Sequence, residues 1–139
     1  MEVVSNKPLI ILDGAHNVDK IKTTVRTTQQ LLGTGGEVHL LLGFSADKNI
    51  RAMLRQLSTL QPTTVACTRN TLNPFRKVAS PKDLRKQMKK YLPKAKVEIF
   101  LDPWEAFLWS KKQMKKDDVL LATGSIFLSG EIRGHFKSV

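Results

Sequence analysis

Three short segments of this 139-residue sequence combine glycine with side chains that bind anions or accept hydrogen bonds. They are residues 13–17 (DGAHN), 43–49 (GFSADKN) and 123–125 (TGS). Each follows a short apolar run and precedes a stretch with helical periodicity. In an open parallel sheet, ligands bind beyond the carboxyl ends of the strands, where loops lead into helix N-termini. The spacing therefore predicts that the three segments meet at one sheet edge and surround a small-molecule site.

The first segment places an acid and a histidine three residues apart. Asp13 can accept hydrogen bonds from ribose hydroxyls, Gly14 lets the backbone approach a ligand, and the following helix N-terminus favours an anion. The structural alternative is that Asp13 caps the helix and that His16 is a solvent-facing turn residue. Because two further polar segments are expected at the same edge, we favour the functional interpretation.

The other two segments offer a cation and a hydroxyl. Lys48 can hold a carboxylate or a phosphate as a point charge. The alternative is that Lys48 is a solvated residue in the first turn of a helix that Asp47 caps. The hydroxyl of Ser125 and the free N–H groups beside it can form a carboxylate seat. Ser125 can equally be a simple N-cap, and the two roles are compatible.

Other candidate sites fail on spacing or order. Residues 33–36 (GTGG) follow a helix and precede a strand, the wrong order for a dinucleotide-binding loop, and no Gly-x4-Gly-Lys-Ser/Thr phosphate loop occurs. The three histidines, His16, His39 and His135, lack the spacing of metal ligands, so no metal site is predicted. We interpret His39 as a structural strand residue and His135 as an exposed residue. No spacing typical of a catalytic triad occurs, and no residue is assigned as catalytic.

Short apolar runs alternate with amphipathic stretches, which predicts one α/β domain over residues 1–139. The expected fold class is a Rossmann-like three-layer domain, with helices on both faces of a mainly parallel sheet of five or six strands. Five strands are located, at residues 8–12, 37–44, 63–68, 96–100 and 118–122. Helices are predicted at residues 18–32, 47–60, 82–91, 103–116 and 126–133.

Cysteine content and hydropathy predict the compartment. The single cysteine, Cys67, excludes an internal disulfide, suits a reducing environment, and lies in an apolar run that predicts a buried small hydrophobe. No apolar run approaches the ~20 residues that cross a bilayer, and the start lacks a signal-peptide pattern. We therefore expect a cytoplasmic protein that does not insert into a membrane.

The net charge of +11 raises the question of nucleic-acid binding. The basic residues concentrate in residues 82–90 and 111–116, where apolar residues at helical spacing predict solvated outer faces. No zinc-finger spacing, aromatic stacking signature or other nucleic-acid motif accompanies them. Nucleic acid is therefore not predicted as a partner, although a basic nucleic-acid-binding α/β module remains the alternative from a different functional class.

Taken in order, the segments resemble signatures of the folylpolyglutamate synthase (dihydrofolate synthase/folylpolyglutamate synthase) family of the Mur ligase superfamily. Residues 12–17 (LDGAHN) match the family's Asp-Gly-Ala-His-Asn motif, with Val18 in place of the usual proline. Residues 44–49 resemble a loop that ends in Asp-Lys-Asp, with Asn49 replacing the last acid. Residues 123–133 (TGSIFLSGEIR) resemble the Thr-Gly-Ser segment of the family. The similarity spans nearly the whole chain.

The resemblance implies the C-terminal domain of an ATP-dependent amide ligase. It implies that Asp13, His16 and Asn17 bind the nucleotide, with Asp13 at the ribose and His16 near the phosphates. It also implies that Lys48 and Ser125 hold the incoming glutamate. The family phosphorylates a γ-carboxylate of folate or of its glutamate tail, and the amino group of glutamate then attacks the acyl phosphate.

The resemblance also implies cofactors and partners. ATP, Mg²⁺, L-glutamate and folate are the expected cofactors and substrates. The phosphate loop, the main Mg²⁺ ligands and the pterin site belong to an N-terminal ATPase domain of the same polypeptide, which is expected to be absent here, so the isolated domain should be inactive. Another Mur-type amide ligase, such as a cell-wall ligase, is the alternative within the superfamily. Cell-wall ligases usually carry other residues around the His-Asn pair, which favours the folate branch.

Overall fold

The computed structural model describes residues 1–46, 49–73 and 77–136. Within these residues, β-forming apolar runs and amphipathic stretches fold into six strands and five helices. The strands are β1 (Glu2–Asn6), β2 (Leu9–Leu12), β3 (Val38–Leu42), β4 (Thr64–Cys67), β5 (Lys96–Ile99) and β6 (Val119–Thr123). The helices are α1 (Val18–Leu31), α2 (Ile50–Ser58), α3 (Pro81–Tyr91), α4 (Pro103–Gln113) and α5 (Ile126–Gly134).

The strands form one sheet with the order β1-β2-β6-β3-β4-β5. β1 pairs antiparallel with β2, and all other neighbours are parallel. The last crossover returns the chain to the middle of the sheet, so β6 lies between β2 and β3. The carboxyl ends of these three strands are therefore adjacent, which is the arrangement that creates a ligand crevice in open α/β sheets.

Alternation along the strands gives the sheet two apolar faces. Ile11 and Leu40 point to one face, which α1, α2 and α3 cover, whereas Ile10 and Leu41 point to the other, which α4 and α5 cover. All four side chains are buried. This three-layer, mainly parallel arrangement confirms the fold class expected from the sequence.

Five of the six strands lie where the sequence predicts them, whereas β1 was not predicted. This strand lies at the sheet edge, is exposed or half-buried throughout, and has a register irregularity between Val3 and Ser5. Its residues therefore carry no clear apolar alternation. The end of α4 was also predicted too late, at residue 116 instead of Gln113. The helix ends earlier because the backbone N–H of Lys115 donates to the carboxylate of Asp118 at 2.9 Å and therefore leaves the helical hydrogen-bond pattern.

The basic residues of α3 have a structural use at the free edge of the sheet. The Nε of Arg85 donates to the carbonyl oxygen of Val97 at 3.1 Å, and the Nζ of Lys89 donates to that of Ala95 at 3.1 Å. Covering the unpaired carbonyls of an edge strand limits its pairing with another chain.

Among the helices of the described residues, none combines the length and the apolar character that crossing a bilayer requires.

Cys67 lies at the end of β4 and is fully buried. Burial raises the pKa of its thiol to about 12, and the positive charge of Arg85 offsets only part of this effect. The thiolate is therefore suppressed at neutral pH. Cys67 is a packing residue, as its apolar surroundings in the sequence predict.

A buried polar network ties together the amino ends of β3, β4 and β6. The ring of His39 contacts the Thr64 hydroxyl through Nδ1 at 2.8 Å and the Asp118 carboxylate through Nε2 at 2.9 Å. Asp118 also accepts hydrogen bonds from the backbone N–H groups of Glu37 and Lys115, each at 2.9 Å. Burial by itself raises the pKa of Asp118, but the two backbone hydrogen bonds and His39 outweigh it and lower the pKa below its ordinary value.

Because the folded-state pKa of Asp118 is lowered, its stabilising contribution is present at neutral pH and is lost as the pH falls through that pKa. The Asp118→Asn variant is expected to lower the free energy of unfolding by about 2–3 kcal/mol at about pH 7. The difference from the wild type should shrink as the pH falls below about 4.

Urea unfolding of both chains across this pH range measures the effect of Asp118→Asn. The neighbouring Asp117 is exposed. Its change to asparagine should therefore alter stability by less than about 0.5 kcal/mol. A pH-independent difference between the wild type and Asp118→Asn would contradict the assignment.

Candidate functional site

The loops that follow β2, β3 and β6 meet at the carboxyl edge of the sheet. The backbone N–H of Gly124 donates to the carbonyl of Ala15 at 3.1 Å, which joins the first and third polar segments. The backbone N–H of Gly43 donates to the carbonyl of Thr123 at 3.3 Å, which joins the second and third. The topology thus brings these three segments side by side.

Two glycines make this close approach possible. Gly124 has φ +112°, and a Cβ built on it would lie 2.6 Å from the carbonyl oxygen of Gly43 and 3.0 Å from the Phe44 ring. A Cβ on Gly14 would meet the Ile126 side chain at 3.3 Å. Gly124 is therefore required both by its backbone conformation and by the space available, and Gly14 fits closely against α5.

Asp13 is buried at the end of β2, and its two carboxylate oxygens have different surroundings. Oδ2 accepts hydrogen bonds from the Thr24 hydroxyl at 2.7 Å, the Thr123 hydroxyl at 3.0 Å and the Ala15 backbone N–H at 3.3 Å. Oδ1 lies 3.7 Å from the α-amino group of Met1. Asp13 does not cap α1, so the capping role considered for it is wrong.

Asn17 is the residue that caps α1. Its Oδ1 accepts a hydrogen bond from the backbone N–H of Lys20 at 2.9 Å. His16 is exposed, and its Nδ1 lies 3.0 Å from the carbonyl oxygen of Gly14. Because a carbonyl only accepts, Nδ1 must carry the proton in this contact. The Nε2 atom is then the ring nitrogen that remains for a ligand.

Ser125 caps α5 and is buried. Its hydroxyl oxygen accepts hydrogen bonds from the backbone N–H groups of Phe127 at 3.1 Å and Leu128 at 3.4 Å. The hydroxyl proton is not used in these bonds and can be donated to an acceptor. The N-cap geometry and an anion-binding role are therefore compatible, because the helix N-terminus itself favours negative charge.

Two cavities open at this edge, and His16 and Ile126 line both of them. The smaller, which we name the α5 pocket, has a volume of about 150 Å³ and lies between the start of α5 and residues 44–46. It is lined by Ser125 and Gly124. The larger, which we name the α1 groove, has a volume of about 810 Å³. Its lining includes Asp13, Asp19, Lys20, Thr23, Thr24 and Thr27.

The structure places four of the five predicted site residues at this edge of the sheet. Asp13 lines the α1 groove, Ser125 lines the α5 pocket, and His16 lies between the two cavities. Asn17 lies next to His16 at the start of α1. Lys48 lies outside the described residues.

Sequence reasoning missed Thr24 and Ile126. A signal for Thr24 exists, because the buried stripe of α1 runs through Ile21, Thr24, Val25 and Thr28. Polar residues on such a stripe need buried partners, and Thr24 finds Asp13. No sequence signal distinguishes Ile126, which is 63% exposed and separates the two cavities.

A metal site is not formed at this edge by the residues that the structure describes. Among all the described residues, one group of three potential metal ligands occurs. It comprises Glu37, His39 and Asp118 and lies at the opposite end of the sheet. Both oxygens of Asp118 already accept hydrogen bonds there. This group is therefore better explained as a structural network than as a metal site.

Comparison with known proteins identifies the family. The family model described as "Mur ligase, glutamate ligase domain" matches residues 1–126. The chain belongs to this family. Among curated proteins, the folylpolyglutamate synthase of Lacticaseibacillus casei is 28% identical over 133 residues, which cover 96% of this chain and 28% of that protein.

Solved structures with the same architecture include two ligases of similar overall length. The bifunctional folylpolyglutamate synthase/dihydrofolate synthase of Yersinia pestis, complexed with AMPPNP and Mn ion, is 26% identical with a TM-score of 0.79. The alignment covers 99% of this Mur ligase domain and 30% of that chain. The Mycobacterium tuberculosis folylpolyglutamate synthase, complexed with ADP and AMPPCP, is 17% identical with a TM-score of 0.85, which shows the shared fold. The alignment covers 99% of this chain and 32% of that chain. The chain thus spans less than a third of these relatives.

Proposed function

We propose that this chain is the C-terminal domain of an ATP-dependent ligase that adds glutamate to folate or folylpolyglutamate. In the proposed reaction, ATP phosphorylates a γ-carboxylate of the acceptor, and the amino group of glutamate attacks the acyl phosphate and releases phosphate. The observation that carries the proposal is the meeting of Asp13, His16 and Ser125 around two adjoining cavities.

The α1 groove supports a nucleotide role. It is large and lined by hydroxyl groups, and it contains the carboxylate of Asp13, which can accept a hydrogen bond from a ribose hydroxyl. His16 stands at the boundary with the α5 pocket, where the Nε2–H group of its imidazolium form can donate a hydrogen bond to a phosphate oxygen. Asn17 fixes the start of α1, so its side chain contributes by orienting the helix N-terminus beside His16.

The α5 pocket supports the glutamate role. A small cavity at a helix N-terminus, with the hydroxyl of Ser125 beside it, suits a carboxylate. Its other wall is residues 44–46, whose position is fixed by pairing with residues 77–79. Lys48 follows this wall in the sequence, and we propose that it supplies the positive charge for glutamate.

The two cavities adjoin, which suits a reaction that joins a nucleotide phosphate to an amino acid. Holding both substrates in place lowers the barrier through proximity, and closure against a second domain excludes water from the labile acyl phosphate. Magnesium would neutralise charge during phosphoryl transfer. We assign no Mg²⁺ ligand to this chain, because the described residues offer no group of ligands at this edge.

We further propose that an N-terminal ATPase domain of the same polypeptide supplies the phosphate loop, the Mg²⁺ ligands and the folate site, and that the enzyme works in the cytoplasm. The L. casei relative, of which this chain covers 28%, is long enough to contain such a domain. The domain formed by residues 1–139 would then close over substrates that the N-terminal domain partly holds.

The test measures ADP formation by a full-length protein that contains this chain, with folate, glutamate and ATP supplied together or singly omitted. We expect ADP formation to require both folate and glutamate, and we expect the 139-residue chain alone to show none. Enzyme-like turnover of ATP by the isolated chain would contradict the proposal. Activity with a muramyl acceptor in place of folate would instead assign the protein to the cell-wall branch.

A further inference from the structure

We propose that Thr24 is a positioning residue that engages one carboxylate oxygen of Asp13 and leaves the other to recognise a single hydroxyl of the nucleotide ribose. The inference rests on the proposed function, which puts a nucleotide in the α1 groove.

The hydrogen bond of Thr24 is directed to Asp13. The Thr24 side chain is buried, and its Oγ1 lies 2.7 Å from the Asp13 Oδ2 and 2.9 Å from the carbonyl oxygen of Lys20. A hydroxyl has one proton, so it can donate fully to only one of these acceptors. The carboxylate is charged and closer, and charge-assisted hydrogen bonds are the stronger ones. The proton of Thr24 therefore belongs to Asp13.

Thr24 completes a set of three donors around the same oxygen. The Thr123 hydroxyl and the Ala15 backbone N–H also donate to the Oδ2 of Asp13, at 3.0 and 3.3 Å. Oδ1 receives no hydrogen bond from any residue in the described part of the chain, and the Met1 α-amino group at 3.7 Å is beyond hydrogen-bond distance. A ligand that enters the groove thus finds one carboxylate oxygen with its acceptor capacity unused.

This division of roles determines what Asp13 can recognise. A carboxylate that presents both oxygens can bind the two neighbouring hydroxyls of a ribose together. With Oδ2 engaged by three donors, only Oδ1 faces the ligand. The two ribose hydroxyls then compete for one oxygen whose direction is fixed, and we infer that the hydroxyl aligned with Oδ1 makes much the stronger hydrogen bond.

Among the three donors, Thr24 is the one whose side chain can be changed with least disturbance. The donor group of Ala15 is in the backbone, and Thr123 lies within the central strand β6. Thr24 alone connects Asp13 to α1, so its hydroxyl fixes the rotation of the carboxylate relative to that helix. Without it, the carboxylate can rotate and Oδ1 loses its fixed direction.

The experiment uses the full-length ligase with ATP, 2′-deoxy-ATP and 3′-deoxy-ATP as substrates. In the wild type, one of the two deoxynucleotides should have a KM about 10-fold higher than that of ATP, and the other should stay within about 3-fold. Thr24→Val should raise the KM for ATP about 5–10-fold with kcat nearly unchanged, and should reduce the discrimination between the two analogues. Thr24→Ser, which keeps the hydroxyl, should retain the wild-type pattern.

Thr28→Val is the matched control. Thr28 is buried one helical turn further along α1, and its hydroxyl donates to the carbonyl of Thr24 at 2.8 Å without reaching Asp13. This variant removes the same kind of hydroxyl from the same buried stripe. It should leave every KM and the discrimination within about 2-fold of the wild type.

Two results would overturn the inference. One is that Thr24→Val and Thr28→Val have the same kinetics. The other is that the KM of the wild type rises equally for both deoxynucleotides or for neither. The second result remains available if the Thr24→Val variant does not fold. A failure of the proposed function looks different, because the wild type would then form no ADP in response to folate and glutamate.

Discussion

Replacing Asp13 by asparagine in the proposed full-length ligase is expected to raise the KM for ATP about 10- to 100-fold with little loss of stability. The reason lies in the three donors that point at the Oδ2 atom of Asp13. They require an acceptor at that position, so the carbonyl oxygen of the new amide must take the place of Oδ2. The amide NH₂ group then replaces Oδ1 and faces the groove, where it cannot accept a hydrogen bond from a ribose hydroxyl.

Steady-state kinetics with varied ATP measure this effect, and thermal unfolding checks that Asp13→Asn is folded. Asp19→Asn is the matched control, because Asp19 lines the same groove but is exposed in the first turn of α1. Asp19→Asn removes the same charge, but the Asp19 carboxylate is not held by buried donors as that of Asp13 is. The KM of this variant for ATP should therefore change by less than about 3-fold. Equal effects of the two variants would mean that general electrostatics, and not the geometry of Asp13, governs binding.

Replacing Gly124 by alanine is expected to destabilise the domain by about 3–5 kcal/mol, a large part of the stability of a typical domain. Two independent costs add here. The residue has φ +112°, which side chains with a Cβ rarely adopt, and the new methyl group would lie 2.6 Å from the carbonyl oxygen of Gly43. The atom that it meets belongs to the backbone of the neighbouring loop, so relief requires the loops after β3 and β6 to separate. The α5 pocket would open as a result.

Urea unfolding of the 139-residue chain, followed by far-UV circular dichroism, measures the loss. Gly130→Ala supplies the control, because Gly130 lies inside α5 and a Cβ built there meets no atom within 4 Å. This change should stabilise the helix by about 0.5–1 kcal/mol. If Gly124→Ala unfolds at the same urea concentration as the wild type, the close packing of the three loops at this edge is wrong.

The sequence by itself determined the class of fold and the identity of most polar groups at the site. Alternation of apolar runs with amphipathic stretches predicted a mainly parallel three-layer sheet, and the structure has that architecture. The start of α4 was also readable, because Asp102 followed by proline is a local signal and its carboxylate accepts from Glu105 at 3.2 Å. Local patterns of this kind depend only on residues that are near in sequence.

The tertiary structure alone decided how those groups are used. The sequence predicts a ligand-binding acid at position 13 from its segment, but the hydrogen bonds of Asp13 to Thr24 and Thr123 join residues 11 and 110 positions apart. The contact with Thr123 depends on the strand order, which places β6 between β2 and β3 and which no local pattern encodes. The edge strand β1 escaped prediction for the related reason that its one-sided pairing with β2 leaves little trace in its own residues. Residue types therefore determined which chemical groups are available at this edge, and the folded contacts decided which oxygen of Asp13 the protein itself engages.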